Sequence, residues 1–156
     1  MAREAERNVN RAREKRRTGS QQRKAAWMAA EPEIPIEQVS VFATGLDHPE
    51  GLAWDREGFL WAGSESGDVY RIDPNGKVQV IARVEGFCCG LAFSPKDELF
   101  LCHPRLGIVN IGRDGKHSIF ADEAGGHRIA YANFAVFDRA GNLWVTDSGN
   151  WKKQNG

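Results

Sequence analysis

Laid over itself with a shift of 39 residues, the chain repeats: residues 38–81 fall on 77–120 without a gap. Gly51-Leu52-Ala53-Trp54 meets Gly90-Leu91-Ala92-Phe93, Leu60-Trp61 meets Leu99-Phe100, and Asn75-Gly76-Lys77 meets Asp114-Gly115-Lys116. A third copy begins after five inserted residues, with Phe134-Ala135-Val136-Phe137-Asp138 on the GLAWD pattern and Asn142-Leu143-Trp144-Val145 on the run that follows it. A period of about 40 restricts the chain to architectures built from repeated supersecondary units. Each unit is a series of short apolar or alternating runs separated by turn signals: GLAWD, REG, FLWAGS, ESG, DVYRID, PNG, KVQVIARV. Four runs per unit, joined by Asn-Gly and Asp-Gly turns, predict the four-stranded antiparallel blade of a β-propeller. Helical repeats of similar period would carry apolar residues every three to four positions, and these runs do not.

The spacing predicts strands near 51–55, 58–63, 68–73 and 77–83, then the same set 39 residues later. A blade must stack on neighbours to cover both faces. The expected fold is therefore all-β: an incomplete arc of about two and a half propeller blades with a basic N-terminal tail. The expected organisation is a helical or disordered tail over 1–30, a Pro-containing extended linker over 31–37, and a partial propeller over 38–156. Within the last, residues 38–44 form a leading outer strand, 50–84 blade one, 89–122 blade two and 133–156 a partial blade three. In a closed ring the leading strand would pair with the last strands of the chain, so the sequence reads as the front part of a longer protein.

The net charge of zero conceals an asymmetry. Nine of the 21 Lys/Arg and three of the 21 Asp/Glu fall in residues 1–30, leaving twelve and eighteen in residues 31–156. The leader lacks the apolar region of a secretory signal, and Glu4, Glu6 and Glu14 oppose a transit peptide. Clustered Arg could neutralise phosphates, but no aromatic platform accompanies the charges, so a nucleic-acid arm is disfavoured against a solvated tail. No stretch is long and apolar enough to span a membrane as a helix. Three cysteines, two of them adjacent, make a poor disulfide framework and point to a reducing, cytoplasmic compartment. Cys88, Cys89, Cys102 and His103 could suggest zinc, but neighbours in a strand face opposite ways, which favours buried, quiet thiols. His48, His103, His117 and His127 fall at strand ends or loops, and His127-Arg128, within the insertion, is the pair placed to line a mouth. Gly125-Gly126 lacks the context of a phosphate loop, and Ser64 and Ser148 lack that of a hydrolase elbow. The series Trp54, Trp61 and Trp144 fits packing between blades.

The first strand of a blade lines the central channel. Superposing the copies puts Glu50, Cys89 and Asn133 at equivalent positions just before those strands. A charge needed for packing would repeat, whereas this position varies and its apolar surroundings do not. Oxygen donors converging from different blades suit a hard divalent cation. Against this stands a solvated Glu50 and an Asn133 that merely caps a turn.

With HPEGLAWDREGFLWAG around Glu50 and ANFAVFDRAGNLWVTDSGNW around Asn133, residues 38–150 resemble the regucalcin and gluconolactonase family of six-bladed propellers, with strictosidine-synthase-like proteins as relatives. The resemblance implies one divalent metal, Ca²⁺ or another ion, once the whole propeller is present. It matches Glu50 to a metal ligand and Asn133 to a substrate-binding asparagine. It implies ring opening of a sugar lactone or related ester, with the metal as Lewis acid. Tyr131 and Phe134 stand where that family often has Arg and Asp. No catalytic base is assigned. The alternative is a non-enzymatic propeller fragment, an interaction scaffold or a remnant. Nothing in the sequence fixes an oligomeric state.

Overall fold

The computed structural model describes residues 34–150, and the chain divides into two units after Ser40. The basic leader therefore lies outside the described residues. In the first unit one 3₁₀ turn spans Ile36–Gln38, where the Pro35 carbonyl accepts the Gln38 N–H at 2.9 Å. The stretch expected to be an extended linker thus ends in a turn, started by a proline whose φ of −57° already suits it.

Residues 41–150 contain no helix. Blade one is an antiparallel sheet of β1 (Leu52–Trp54), β2 (Leu60–Gly63), β3 (Asp68–Ile72) and β4 (Val78–Arg83), paired in that order. Blade two repeats it with β5 (Leu91–Phe93), β6 (Leu99–His103), β7 (Gly107–Ile111) and β8 (His117–Ala121). A small hairpin, β9 (Glu123–Ala124) and β10 (His127–Arg128), leads to β11 (Ala132–Phe137) and β12 (Leu143–Asp147), which pair as blade three. Even the irregularities repeat: the β3–β4 ladder shifts register after Val69 and the β7–β8 ladder after Ile108, 39 residues on. The expected leading strand over 38–44 carries no strand assignment. Its position is nonetheless set. A side chain at Gly76 would lie 2.2 Å from the Phe42 carbonyl, as one at Gly115 would lie 2.3 Å from that of Ile81 in β4. Residues 42–43 thus cross blade one where the outer strand of a preceding blade would cross.

Successive blades meet face to face. Call the face of a blade toward its predecessor the front and the opposite one the rear. The rear of blade one, with Trp61, Val69 and Ala82, packs on the front of blade two, with Leu91, Leu99, Val109 and Ile111. The rear of blade two, with Ala92, Phe100 and Ile108, packs on Ala135, Phe137, Leu143 and Val145 of blade three. Where inner strands approach, only glycine fits: a Cβ on Gly51 would lie 2.4 Å from the Cys89 carbonyl, and one on Gly90 would lie 2.8 Å from the Phe134 Cα.

Side chains within each blade close its turns. Asp55 accepts the N–H groups of Glu57 and Phe59 at 3.0 and 2.8 Å, closing the β1–β2 turn, and its other oxygen accepts the Trp61 indole N–H at 2.9 Å. Asp138 does the same for Ala140, Asn142 and the Trp144 indole. In blade two Ser94 closes the turn through Lys96 and Glu98, and Phe100 stands in place of tryptophan. Where the second carboxylate oxygen is missing, so is the indole that would need it. Arg113, from the β7–β8 turn, reaches back to Asp55 at 2.7 Å and Asp97 at 2.6 Å while lying over the rings of Trp61 and Phe93. The expectation that Trp54, Trp61 and Trp144 all pack between blades holds for Trp61 alone, which is 1 % exposed; Trp54 and Trp144 are 61 % and 63 % exposed. No described blade covers their faces.

Burial pushes the Asp55 carboxyl up, but the Trp61 and Phe59 hydrogen bonds and the Arg113 guanidinium outweigh it and hold the pKa at about 2. A folded value below the ordinary 3.8 stabilises the fold above that pH, and the contribution disappears as pH falls through the folded value. Asp55→Asn should cost about 2 kcal/mol near pH 7. In urea melts the gap between variant and natural chain should close as pH falls from about 4 to about 2.

Candidate functional site

The inner strands begin at one end of the blades, where each outer strand hands over to the next blade. Here the equivalent positions Glu50, Cys89 and Asn133 form a row. The close approaches at Gly51 and Gly90 bring each of these positions beside the next, and the Gly90 N–H donates to the Asn133 carbonyl at 2.8 Å. Glu50 is exposed and, among the described residues, makes no ion pair or hydrogen bond. The turn Asp47-His48-Pro49 carries it to the channel end. Asp47 is tied by its N–H to the Tyr70 hydroxyl and by its carboxylate to the Ser66 N–H, and His48 holds a left-handed φ of 39° with Nδ1 2.9 Å from Asp47.

Cys89 is fully buried, and Tyr131 is hydrogen-bonded to it from the segment before β11. Burial, then the nearby Glu50 charge, pushes the Cys89 thiol up to about 11. Burial, then Cys89 and Glu50, raises Tyr131 likewise. Both groups are therefore neutral beside a carboxylate, and neither adds a negative charge to the row. Cys88 lies in the cluster between blades one and two, and Cys89 in the one between blades two and three. The adjacent thiols do face opposite ways, and all three cysteines are free and buried.

Asn133 is oriented by its surroundings. Its amide nitrogen donates to Ser148 Oγ at 3.1 Å, and the amide oxygen is left as the acceptor side. Asp147 holds the approach to it, accepting the N–H groups of Ala130, Tyr131 and Gly149 at 2.8 Å each. Burial raises the Asp147 carboxyl, but these three donors outweigh it and leave the pKa lowered. The equivalent positions in the other blades do the same work with other chemistry. Ser64 accepts the Asp68 N–H at 2.7 Å. Buried His103 donates from Nε2 to the Glu85 carbonyl at 3.0 Å and accepts the Arg105 and Leu106 N–H groups at Nδ1. Burial holds its pKa below the ordinary histidine value, so it is a neutral loop clamp. The roles of these clamps, and the contact of Tyr131 with Cys89, escaped the sequence reading. The signal was the polar residue that closes each second strand, at 64, 103 and 147.

His127 and Arg128 lie on β10, across the Gly125-Gly126 turn from β9, and border a cavity of about 370 Å³ floored by Ile108, Phe120, Leu143 and Val145. No cluster of three or more His, Cys, Asp or Glu among the described residues could hold a metal ion. Tested against a hard cation, the row offers the unpartnered Glu50 carboxylate and the Asn133 amide oxygen. The neutral thiol between them is no ligand for such an ion. These two oxygens fit part of a coordination or substrate-binding shell.

Repeated four-stranded blades whose inner strands present a row of variable side chains define a β-propeller channel. The model of the strictosidine synthase-like N-terminal family matches residues 38–72. The chain is 30 % identical over 132 residues to the diisopropyl-fluorophosphatase of Loligo vulgaris, covering 73 % of this chain and 42 % of that one. A solved gluconolactonase from Xanthomonas campestris is 26 % identical with a TM-score of 0.62, covering 68 % of this chain and 37 % of its own. A second solved structure, named as a candidate gluconolactonase, superposes with a TM-score of 0.55 at 19 % identity over 76 % of this chain and 45 % of that one. Over the part of them that it spans, the chain is similar to the regucalcin and gluconolactonase-like propellers. It spans 42 % of the length of the curated relative it matches.

Burial makes a testable difference to the thiols. With Cys88 and Cys89 at about 11 and Cys102 at about 12, against an ordinary 9.0, the thiolate fraction near pH 8 falls about 100-fold or more. A thiol reagent should therefore label the folded chain at least about 100-fold more slowly than the chain in denaturant, with all three cysteines reacting once it unfolds.

Proposed function

We propose that this chain forms one wall of the active channel of a divalent-metal-dependent hydrolase acting on a lactone or related small ester. Glu50 supplies a metal-binding carboxylate and Asn133 an oriented amide that contacts substrate. The observation that carries the reading is the state of Glu50. The position next to a packed inner strand holds a carboxylate with no cationic partner among the described residues, in line with Cys89 and Asn133. A structural glutamate would be expected to pair or cap, as Asp55, Asp138 and Asp147 all do. A divalent cation bound at Glu50 would supply a Lewis acid toward a substrate carbonyl.

The chain's own residues then have separate tasks. Glu50 holds charge at the channel end without shaping the blade. Asn133, fixed through Ser148 and the Asp147-clamped loop, holds a substrate oxygen or hydroxyl in one orientation. Tyr131 and Cys89 exclude water between them while adding no charge. An aromatic and a thiol beside a single carboxylate present few donors to a polyhydroxylated ring, which favours a less hydroxylated lactone or ester.

Glu50→Gln keeps the shape and removes the formal charge. In the longest natural form of the protein, Ca²⁺ affinity by calorimetry should drop about tenfold or more and lactone turnover should fall with it. The metal-free melting temperature should stay where it was. Lost metal-free stability with unchanged Ca²⁺ affinity would show instead that Glu50 is structural and that the chain serves as a scaffold.

A further inference from the structure

Two residues before each member of the channel row stand His48, Phe87 and Tyr131. Of the three, His48 alone has a left-handed backbone, with φ 39°. A positive φ is uncommon in a residue that carries a side chain, and Pro49 restricts its predecessor further. The other such residue among the described ones, Asp97 with φ 66°, stands where Gly58 and Gly141 make the same turn in the neighbouring blades. His48 has no counterpart of that kind. Its unusual backbone falls in the one copy whose row position is a carboxylate, Glu50.

Backbone of this kind persists only where its surroundings hold it, and blade one does so. The Asp47 N–H donates to the Tyr70 hydroxyl at 3.2 Å, and Asp47 Oδ2 accepts the Ser66 N–H at 3.0 Å. His48 Nδ1 lies 2.9 Å from Asp47 Oδ1 and 3.5 Å from Glu65 Oε2. An ionised carboxylate only accepts, so Nδ1 carries a proton and donates it. Tyr70 is buried on β3, and Glu65 and Ser66 lie in the β2–β3 loop, so every one of these ties is made inside blade one. Blades two and three hold the same segment from the loop side, through His103 to the Glu85 carbonyl and through Asp147 to the Ala130 and Tyr131 N–H groups. In blade one the carboxylate belongs to the segment itself.

We propose that His48 is a positioning residue for Glu50: its left-handed turn, locked to blade one through Asp47, directs the Glu50 carboxylate along the row toward Cys89. Burial raises the Cys89 thiol most and the Glu50 charge next; for the Tyr131 hydroxyl, burial and Cys89 come before Glu50. The carboxylate is thus close to both. Gly51, where a β-carbon would lie 2.4 Å from the Cys89 carbonyl, leaves no room to compensate on the other side of Glu50 if the turn changes hand. The consequence for metal rests on the ligand role proposed for Glu50, whereas the direction of its carboxylate does not.

The test uses the longest natural form of the protein, with Ca²⁺ as the probe. His48→Gly and His48→Asn accept a positive φ, and His48→Val opposes it. Calorimetry should show Ca²⁺ affinity falling about tenfold in His48→Val and staying within about threefold in the Gly and Asn variants. Combined with Glu50→Gln, His48→Val should cost no further affinity. In crystals of the metal-free proteins the Glu50 carboxylate should move by about 1 Å or more in His48→Val and keep its place in His48→Asn. If His48→Val fails to fold, Tyr70→Phe, which removes the acceptor of the Asp47 N–H, replaces it with a loss of about threefold. A carboxylate that keeps its place in the folded variant overturns the proposal. So does an equal loss of affinity on the Glu50→Gln background, or a loss shared by His48→Asn. Unchanged affinity in His48→Val overturns it too, unless Glu50→Gln is equally without effect. In that case a displaced carboxylate upholds the positioning role, and only the ligand role of Glu50 falls.

Discussion

The distance between successive inner strands governs the rest of this molecule. At Gly51 and again at Gly90 the backbone of the next blade lies where a β-carbon would be. That approach lets the broad rear faces meet further out, so that Trp61 and Leu99 close into one core cluster and Phe100 and Phe137 into the next. It also decides the channel end. Glu50, Cys89 and Asn133 each precede one of these contact points, so the same packing that joins the blades sets their side chains in a row. A larger residue at 51 or 90 would push the strands apart and disturb core and row together.

Around this contact the polar groups obey two different rules. Groups that fold the blade are fully paired and change in concert. Asp55 with Trp61 and Asp138 with Trp144 keep carboxylate and indole, and Ser94 with Phe100 gives up both. At the buried Trp61 an indole N–H without its acceptor would cost about 1–3 kcal/mol, so there neither half can change alone. The loop clamps at 64, 103 and 147 vary from hydroxyl to imidazole to carboxylate, but each holds backbone N–H groups of its own loop. The row at 50, 89 and 133 obeys no such rule. Its members are not partners of one another in any hydrogen-bonded pair that folds the blade, which leaves the position open to chemistry.

The fold was largely legible in the sequence because a propeller blade is a local object. Period-two runs, Asx-closed turns and glycines at the close contacts all lie within about 40 residues of one another, and the strands of the two full blades fall where the repeat places them, although 38–44 does not form the leading strand it also places. The candidate site was legible in one dimension only. Superposing the repeats put Glu50, Cys89 and Asn133 at one position, but nothing in the sequence showed that Tyr131 would hydrogen-bond to Cys89 or that Asp147 would clamp the segment between them. Arg113 likewise gave no sign that it would cross to Asp55, 58 residues away. The Tyr131 and Arg113 contacts join different blades, and a repeat carries no information about which side chains meet across its boundary.

The sequence by itself determined the blade: its four strands, its turns and the alternation of its faces, since each follows from backbone pairing and side-chain period within one unit. It also determined that the channel position would differ from blade to blade. Only the tertiary structure decided what becomes of a given face. Trp61 and Trp144 occupy the same place in their repeats, bond to equivalent aspartates, Asp55 and Asp138, and have the same cross-strand register. One is 1 % exposed and the other 63 %. Burial is a property of the neighbour as much as of the residue, and the difference between these two tryptophans is the presence of a blade behind the first.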